Sequence, residues 1–432
     1  MAPFNKTGFV FSFVCAILFA SLLIDSAIAS ETTADYDSVI VIPKVKINRL
    51  DRTMHSRGIL RYKKVKENIY VIPLEAGNGT AKVAELKASG LFDLVEPDYK
   101  FSLDQVNEKK YTKIIIHSSE QNPPESNTNN IQPAPSVEAK EITPNDKGFN
   151  AQYYLRETNA TKAWSTTVGS SLLVGVLDTG VDENHPDLVG KVVNDSDSSS
   201  DDLTDQIGHG TEVSGIIAAN TNNNQGIAGI SWNTMIFPVR VTDESGQARV
   251  STVVSALDKA YSKGVKIVQI SLSTNQFSQV LKDAVAQAQA RGILVVSTSG
   301  NSGANELRYP AAFDGVIGVG AVNQSREIES YSTTGEHVAL VAPGSSIYTT
   351  SLSSGYAAVS GTSFAAPQVA GAAALIWSVA PNLNSSEVRD ILIKSAIDLG
   401  EAGKDPVYGY GLLNTEAAVE IAKTRQANRT AY

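Results

Sequence analysis

The chain has 432 residues, 42% of them hydrophobic and 19% charged, which is enough for two or three ordinary globular domains. Its formal net charge of -9 is uneven, because residues 1–140 are nearly neutral and the rest is acidic. An acidic body without a basic stripe argues against nucleic acid as a partner. Cys15 is the only cysteine, which excludes a disulfide framework, a thiol nucleophile and a cysteine-ligated zinc site in the folded part.

Residues 1–29 have the pattern of a secretory signal peptide. Lys6 supplies a positive charge, residues 8–24 form an apolar run, and residues 27–29 read Ala-Ile-Ala, a small-x-small cleavage site. An uncleaved membrane anchor is the alternative, but a run of this length is marginal for spanning a bilayer. We therefore predict a secreted protein, extracellular or periplasmic, without a membrane anchor.

Residues 30–103 contain a short mixture of strand-like and helix-like stretches. Residues 68–74 and 94–99 predict strands, and residues 80–89 predict a helix with Val83 and Leu86 on one face. The composition then shifts toward Ser, Asn and Pro. A segment of that kind buries too little apolar surface to offset its ordering entropy, so residues 104–142 are predicted to be an exposed linker and maturation region.

After residue 143, strands are predicted to alternate with helices. The strands are near-continuous apolar runs of the kind buried on both faces of a parallel sheet, at residues 172–177, 265–272, 293–298, 316–321 and 338–342. The clearest helical stretches are residues 250–263, 278–291 and 364–379. This pattern predicts one α/β domain over residues 143–432 with a mostly parallel central sheet.

Three short clusters at the ends of apolar segments carry groups capable of catalysis, and open parallel sheets usually place their sites at such ends. Asp178 ends a strand, His209 lies between Gly208 and Gly210, and Ser363 opens a helix. Each alone has an ordinary structural explanation, as a turn carboxylate, a loop histidine or a helix N-cap. Together they suit a serine nucleophile, which needs an imidazole to take its proton and a buried carboxylate to orient that imidazole.

A tetrahedral intermediate would also need at least two hydrogen-bond donors. Asn301 follows the predicted strand 293–298 and offers a side-chain amide, and the backbone N–H of Ser363 offers a second donor. Glycines beside the histidine and the serine leave room for the backbone of a substrate. The residues themselves therefore indicate acyl transfer through a serine.

The three clusters resemble the signatures of subtilisin-like serine proteases. The matching stretches are residues 176–187 (VLDTGVDENHPD), 208–215 (GHGTEVSG) and 361–367 (GTSFAAP), in that family's order of Asp, His and Ser. The resemblance covers about residues 143–424 and implies a three-layer α/β/α fold and a serine endopeptidase. It implies Asp178 as the orienting acid, His209 as general base and acid, Ser363 as nucleophile and Asn301 as oxyanion donor.

The N-terminal segment resembles the inhibitory prodomain of the same family, with residues 95–99 (VEPDY) as its closing strand. The resemblance implies a small α+β ferredoxin-like prodomain at residues 30–103, which assists folding and plugs the cleft until it is cut. We therefore expect a monomeric zymogen that matures autocatalytically within residues 104–145. Its partners would be protein or peptide substrates and its own prodomain.

The resemblance further implies a structural calcium site of the thermitase-like branch. Its ligands would be the side chains of Asp146, Asp187 and Asn223 and the carbonyls of Asn220, Gln225 and Ile227, all oxygen groups that suit a hard cation. The alternative is that residues 222–224 form only a solvated turn. The acidic run at residues 195–205 is expected to be a flexible surface loop, with a second cation site as the other interpretation.

Substrate-binding residues depart from the family pattern. The resemblance places Ser271, Leu272 and Ser273 on the wall of the primary specificity pocket, with Gly300 and Arg308 also lining it. Side chains on Ser273 and Thr274 stand where relatives carry glycines, so we expect a narrower wall. We hypothesise that Arg308 favours small or acidic residues before the scissile bond. The alternative is that Arg308 turns outward or pairs with Glu306.

Other classes of protein fit the residues less well. An inactive homologue would be expected to lack a member of the triad or Asn301. A metallohydrolase is disfavoured because the chain has 5 histidines and no His-Glu-x-x-His. An α/β-hydrolase would need Gly-x-Ser-x-Gly and a different order of catalytic residues. His185 is assigned no catalytic role, and Glu212 and Gln368, where relatives carry histidines, are expected to affect turnover little.

Overall fold

A computed structural model describes residues 36–44, 54–55, 59, 61–75, 77–103, 114–116, 141–194 and 203–430. The chain divides into two compact units, residues 1–98 and residues 99–432. The predicted signal peptide and most of the predicted linker lie outside the described residues. The domain boundaries expected at residues 29, 103 and 142 therefore stay predictions.

The smaller unit is an antiparallel sheet with a helix packed against it. Its strands are β1 (Ser38–Pro43), β2 (Lys63–Lys66), β3 (Ile69–Pro73) and β4 (Phe92–Pro97), in the order β2-β3-β1-β4, and its helix is α1 (Gly79–Ala88). Val83 and Leu86 of α1 are buried against β1 and β4, as the predicted helical face requires. The sequence pattern located α1, β3 and β4 but not β1 or β2. The ferredoxin-like topology stays a prediction.

The larger unit holds the remaining strands. These are β5 (Lys100–Ser102), β6 (Ile114–Ile116), β7 (Leu173–Asp178), β8 (Met235–Arg240), β9 (Gln247–Arg249), β10 (Ile267–Ile270), β11 (Leu294–Thr298), β12 (Ile317–Val322), β13 (Val338–Pro343), β14 (Ile347–Ser351) and β15 (Gly355–Val359). Six of them form the central sheet, in the order β13-β12-β11-β10-β7-β8, and every pair in it is parallel. Strands buried on both faces need no polar alternation, so the apolar runs predicted this sheet.

Helices cover the central sheet. They are α2 (Tyr153–Glu157), α3 (Ala160–Ala163), α4 (His209–Ala218), α5 (Val250–Ser262), α6 (Gln279–Ala290), α7 (Thr362–Val379), α8 (Ser385–Lys394) and α9 (Thr415–Thr430). Helices α5 and α6 pack together on the sheet, and α4, α7 and α9 form a separate packed group. The expected three-layer α/β/α architecture is confirmed.

The most apolar helix, α7, runs through the core. Within the described residues it is the helix long and apolar enough to cross a membrane, with a mean hydropathy of 1.2, but 89% of it is buried inside the fold. Helices α4 and α9 and the central strands pack around it. A Cβ on Gly371 would lie 2.8 Å from Ile230, which shows how closely the helix is packed. Its apolar character therefore follows from burial by the protein.

Strands β6 and β8 are among the elements that the sequence analysis did not predict. Strand β6 falls inside the predicted linker and pairs antiparallel with β15. Strand β8 was not predicted, although it is buried at the edge of the central sheet beside β7. Pro238 within β8 and Arg240 at its end break the apolar run that marked the other strands.

Candidate active site

Asp178 and His209 lie next to each other at the carboxyl-terminal ends of the parallel strands of the central sheet. Asp178 is the last residue of β7 and is fully buried. His209 begins α4 after Gly208, whose φ of 103° is a left-handed value that favours glycine. Nδ1 of His209 lies 2.7 Å from Oδ1 of Asp178, and the backbone N–H of Thr179 also donates to that oxygen at 2.8 Å. The carboxylate can therefore hold the imidazole with its Nε2 directed away from Asp178.

Asp205 holds the turn that leads into His209. Its buried carboxylate accepts hydrogen bonds from the backbone N–H groups of Ile207, Gly208 and Thr211 and from the hydroxyls of Thr179 and Thr211. The expectation that residue 205 belongs to a flexible acidic surface loop is wrong, because this side chain is 5% exposed and fully bonded. Residues 195–202 of that run lie outside the described residues.

Charges around the imidazole make it a stronger base than an ordinary histidine. Burial alone would lower the pKa of His209, but the charge and hydrogen bond of Asp178 raise it, with smaller contributions from Glu212 and Asp205. The net shift in the pKa of His209 is upward. A base of this kind accepts a proton readily and is neutral only above the ordinary histidine range.

Ser363 lies in the first turn of α7, and its side chain is buried. The ring of Phe364, the next residue, has its centroid 5.3 Å from that of the His209 ring, which brings this turn beside the histidine. The hydroxyl of Ser363 donates to the carbonyl of Ser271 at 3.3 Å, and the hydroxyl of Ser271 donates to the carbonyl of Ser363 at 2.9 Å. In this structure the Ser363 hydroxyl is thus bonded to Ser271 rather than to the imidazole.

Asn301 is fixed next to the same helix N-terminus. Its Oδ1 accepts from the backbone N–H of Thr362 at 2.9 Å and from the Thr362 hydroxyl at 2.7 Å. Because the oxygen of the amide is held there, its nitrogen lies on the side of Gly361, 3.3 Å from where a Cβ on that glycine would be. The side chain is therefore placed with its donor end beside the start of α7, where the resemblance implied an oxyanion donor.

The cleft beside these residues contains an extended segment of the chain itself. Strand β5 pairs antiparallel with β9, and Ser102 also forms an antiparallel bridge with Ser273 on the other side. Leu272 is fully buried behind that bridge, and the side chain of Phe101 is 1% exposed. Of the three residues expected to bind substrate, Ser273 thus pairs with this strand, and substrate binding by Ser271, Leu272 and Ser273 stays a prediction.

Arg308 lies close to Gly300, the other residue expected to line the specificity pocket. Its Cγ would be 3.0 Å from a Cβ on Gly300, so the aliphatic part of the arginine occupies the space above that glycine. The guanidinium pairs with Glu306, with 2.8 Å between Nη2 and Oε1. Tyr309, the next residue, forms two backbone hydrogen bonds with Thr274. The pairing with Glu306 is what the alternative interpretation expected, and a preference for small or acidic residues before the scissile bond stays a prediction.

Four of the six residues expected to bind calcium come together around two buried carboxylates: Asp146, Asp187, Asn223 and Ile227. Asp146 accepts from the backbone N–H groups of Asn222 and Asn223, and Asp187 accepts from the Asn223 side chain at 2.7 Å and from the N–H of Ile227 at 2.8 Å. Burial raises the pKa of both carboxyls, and the charge of Asp187 raises that of Asp146 further. The loop at residues 220–227 therefore donates hydrogen bonds to two buried carboxylates and is not only a solvated turn.

Comparisons with known proteins agree with this geometry. A family model described as the subtilase family matches residues 169–411. The chain is 41% identical over 258 residues to subtilisin DY of Bacillus licheniformis, which covers 58% of this chain and 92% of that protein. It is 38% identical over 281 residues to thermitase of Thermoactinomyces vulgaris, covering 64% of this chain and 99% of that one. A solved protease of Pseudoalteromonas arctica superposes with a TM-score of 0.59 at 28% identity, over 65% of this chain and 100% of that structure.

Proposed function

This chain belongs to the subtilase family and is a subtilisin-like serine endopeptidase, and from that premise we propose that it is secreted as a zymogen with Asp178, His209 and Ser363 as its triad. The observation that carries the assignment of residues is the 2.7 Å contact between His209 and Asp178 beside the helix turn that holds Ser363. The proposed parts are a signal peptide at 1–29, a prodomain at 30–103, a maturation region at 104–142 and the catalytic domain at 143–432.

In the proposed mechanism, Ser363 attacks the carbonyl carbon of the scissile bond. Rotation of its side chain away from the Ser271 carbonyl brings the hydroxyl to Nε2 of His209, which takes the proton. Asp178 stabilises the resulting imidazolium and keeps Nδ1 protonated. His209 then gives the proton to the leaving amine, and a water molecule hydrolyses the acyl-enzyme by the same route in reverse.

The developing oxyanion would be bound by the side-chain amide of Asn301 and the backbone N–H of Ser363. Both groups are positioned before substrate arrives, since Thr362 holds the amide oxygen and α7 holds the backbone. Preorganised donors of this kind stabilise the transition state more than the substrate, and one of them is worth about 10²–10³ in turnover.

We also propose that a calcium ion stabilises the loop at residues 220–227. Asp146 and Asp187 are 4% and 0% exposed and repel each other, and no ion pair to a basic side chain offsets their charge in the described part of the chain. No group of three or more acidic, histidine or cysteine side chains that could hold a metal occurs there. The ion would therefore depend on amide and carbonyl oxygens from Asn220, Asn223, Gln225 and Ile227, which suit calcium.

One rearrangement is needed for that assignment. The Asn223 amide presents its nitrogen to Asp187, whereas a cation would require its oxygen. The two ends of an amide have the same shape, so a half-turn of the group exchanges them. That rotation also gives up the bond from the Gln225 N–H to Asn223 Oδ1 at 3.0 Å, so the loop would change locally as calcium binds. Calcium would supply the positive charge that the two buried carboxylates lack.

The proposed function is tested on the secreted full-length chain and its Ser363→Ala variant. Ser378→Ala, at the other end of α7, is the matched control because it removes the same hydroxyl far from the site. We expect the wild type and the control to lose their N-terminal segments, to hydrolyse casein and to react with a fluorophosphonate. Ser363→Ala is expected to do none of these while keeping its helical circular dichroism.

Two results would contradict the proposal. Ser363→Ala that still hydrolyses casein would show that another residue is the nucleophile. Activity that a zinc chelator abolishes and a fluorophosphonate leaves intact would indicate a metallohydrolase. If both variants are trimmed alike but only the wild type hydrolyses casein, the serine is catalytic and maturation depends on another protease.

A further inference from the structure

The buried ring of His337 contacts the backbone that carries Asn301, and the mechanism proposed above does not use it. We propose that His337 is a positioning residue, which holds the oxyanion donor Asn301 in place through a hydrogen bond to the carbonyl of Ser299. The inference rests on the proposed function, because it requires Asn301 to act on the oxyanion. It adds a residue that lies outside the three matching sequence stretches and on which the rate of the chemical step depends.

The hydrogen bond from His337 has a defined direction. Nε2 of the ring lies 3.1 Å from the carbonyl oxygen of Ser299, and the residue is 7% exposed. A carbonyl oxygen only accepts hydrogen bonds, so Nε2 must carry a proton. In the neutral ring Nδ1 then carries none, and within the described residues this buried nitrogen has no hydrogen-bond partner. The bond to Ser299 is therefore the one that orients the ring.

The peptide group between Ser299 and Gly300 is held at both ends. Its oxygen accepts from His337, and its N–H, on Gly300, donates to Oγ1 of Thr298 at 3.3 Å. A peptide group is planar, so a rotation that moves the carbonyl away from the imidazole also moves the N–H away from the hydroxyl. Asn301 is the next residue, so its backbone shifts with this peptide.

The same peptide is connected to the side chain of Asn301 through two threonine hydroxyls. The hydroxyl of Thr298, which accepts from Gly300, is hydrogen-bonded to the hydroxyl of Thr362. The Thr362 hydroxyl donates to Oδ1 of Asn301 at 2.7 Å. Each hydroxyl in this chain accepts one bond and donates the next, so the bonds strengthen one another. Loss of the His337 bond would therefore disturb both the backbone before Asn301 and the contact that directs its amide.

Thr333 holds the other side of the loop. Its N–H donates to the Gly300 carbonyl at 2.9 Å, and its Oγ1 accepts from the Ser302 N–H at 3.0 Å. A Cβ on Gly300 would lie 2.8 Å from that Oγ1, so the loop passes too close to Thr333 for a side chain there. The segment that contains Thr333 and His337 thus fixes the backbone on both sides of Asn301.

The surroundings of the ring favour its neutral form. A Cβ on Gly335 would lie 3.0 Å from Nδ1, so the chain's own backbone closes that side of the ring. The charged side chains around it form two ion pairs, Arg308 with Glu306 and Lys404 with Glu336. Burial lowers the pKa of His337, and the two cations lower it further, against the opposing effects of the Ser299 carbonyl and Glu306. The stability that depends on the neutral ring is therefore full above the ordinary histidine pKa and decreases as pH falls below it.

Two substitutions separate the hydrogen bond from the rest of the side chain. The amide nitrogen of glutamine is as many bonds from Cβ as Nε2 of histidine, and that of asparagine is as many as Nδ1. His337→Gln thus keeps a donor within reach of the Ser299 carbonyl, and His337→Asn does not. We expect His337→Asn to lower kcat by about tenfold to a hundredfold with a small change in KM, and His337→Gln to stay within roughly threefold of the wild type. Turnover of the mature enzyme is measured per active site titrated with a fluorophosphonate, so unfolded protein does not enter the value.

A double-mutant cycle tests whether the effect depends on Asn301. Asn301→Ala removes the oxyanion donor, so the position of residue 301 no longer affects the transition state. In that background His337→Asn is expected to change kcat by less than about twofold. His337→Phe, which removes the donor but keeps a ring, is put through the same cycle, so a folding defect in one variant does not decide the result.

Trp377→Phe is the matched control for the cycle. It also removes a buried ring N–H, which donates to the Leu383 carbonyl at 2.8 Å near the far end of α7 from Ser363. We expect it to leave kcat unchanged both with and without Asn301.

The pH dependence of stability tests whether the ring is held neutral. The measurement uses the Ser363→Ala background, in which self-digestion is prevented, and compares His337 with His337→Gln by urea unfolding at about pH 7 and about pH 5. The urea midpoint is expected to fall further in the chain that keeps His337, because glutamine gains no proton. Equal falls would show that the ring takes up a proton without cost, which contradicts the bonding pattern.

The outcomes separate this inference from the proposed function. If Asn301→Ala leaves kcat unchanged, the oxyanion role in the proposed function fails and this inference fails with it. If Asn301→Ala lowers kcat but His337→Asn has the same effect in both backgrounds, or none in either, the proposed function stands and His337 does not position Asn301. If His337→Gln is as slow as His337→Asn, the N–H of the ring is not what fixes the loop and the inference is wrong.

Discussion

The hydroxyl of Thr179 donates to the carboxylate of Asp205 at 2.8 Å, and this bond joins the strand end that carries Asp178 to the turn that carries His209. The other donors to Asp205 come from that turn and the start of α4. The relative position of the base and its orienting acid therefore depends on a third carboxylate, whose hydrogen bonds go to the residues around them. Asp205 is a positioning residue, which acts through the geometry of its neighbours.

We expect Asp205→Asn to lower kcat by about tenfold to a hundredfold, because a small displacement of a catalytic group has effects of that size. The amide would face at least one N–H or hydroxyl donor with a donor of its own, so the turn must shift. KM should change little, and the acid limb of the pH profile should move to lower pH because the charge of Asp205 raises the pKa of His209.

Asp243→Asn, which removes an exposed turn carboxylate with similar bonds, is the control. A loss of stability with an unchanged pH profile and kcat would contradict the positioning role.

The raised pKa of His209 predicts the pH dependence of activity. Only the neutral imidazole can take the serine proton, so kcat/KM should fall on the acid side with an apparent pKa above the ordinary histidine value. The buried charge of Glu212 contributes to the upward shift, so Glu212→Gln should lower the pKa and extend activity to more acidic pH. The plateau of kcat should stay the same. Glu336→Gln, on the surface, is the control, and an acid limb that moves equally in both variants would refute the assignment.

Replacing Asn301 is expected to slow the chemical step without weakening substrate binding. Asn301→Asp keeps an oxygen to accept the two bonds from Thr362 but replaces the donor with a negative charge. We expect kcat to fall by about 10²–10³ or more with a small change in KM, since the donor acts on the oxyanion rather than on the bound substrate. Ser302→Ala, at the neighbouring position, tests whether any change there has the same effect. Equal losses in both variants would argue against an oxyanion role.

Much of the fold could be predicted because its strands are buried on both faces. The runs that became β7, β11, β12 and β13 are mostly apolar, with polar residues only at the ends of β7 and β11, so their pattern does not depend on which face packs against which helix. Strand β8 was not predicted because Pro238 interrupts its apolar run. Strand β6 was not predicted because three isoleucines in a row occur in apolar linkers as well as in strands.

The active site was predictable where chemistry requires a particular residue type, as at Asp178, His209 and Ser363. It was not predictable where a role depends on geometry alone. Asp205 has backbone N–H groups as three of its partners, which every residue possesses, so only the folded turn identifies it. The resemblance named Arg308 as a pocket residue but left its pairing with Glu306 open, and only the folded structure places the two side chains 2.8 Å apart.

Calcium is expected to stabilise the protein through Asp146 and Asp187. Burial raises the pKa of both carboxyls, so without the ion their ionisation destabilises the folded state increasingly as pH rises above the ordinary aspartate range. At a hundred times its Kd, calcium should add about 2.7 kcal/mol, which corresponds to roughly 5–10 °C in Tm for a domain of this size. Calorimetry with and without EDTA measures this shift. Asp187→Asn should reduce it and Asp314→Asn, on the surface, should not; an equal shift in both would place the ion elsewhere.

If Arg308 favours acidic residues before the scissile bond, as the sequence analysis hypothesises, Glu306 is expected to weaken that preference. Its carboxylate lies 2.8 Å from the guanidinium and is partly exposed, so it competes with a substrate carboxylate and repels it. Because a partly exposed pair of charges is worth about 1 kcal/mol, Glu306→Gln should raise the ratio of kcat/KM for Asp over Asn before the scissile bond by roughly fivefold. Glu327→Gln, whose side chain bonds Asn323 instead, should leave the ratio unchanged. The ratio is measured with peptides that differ only in the residue before the scissile bond. If Glu306→Gln leaves it unchanged, the guanidinium does not contact the substrate side chain, because a guanidinium that binds both carboxylates would bind one more tightly when the other is removed.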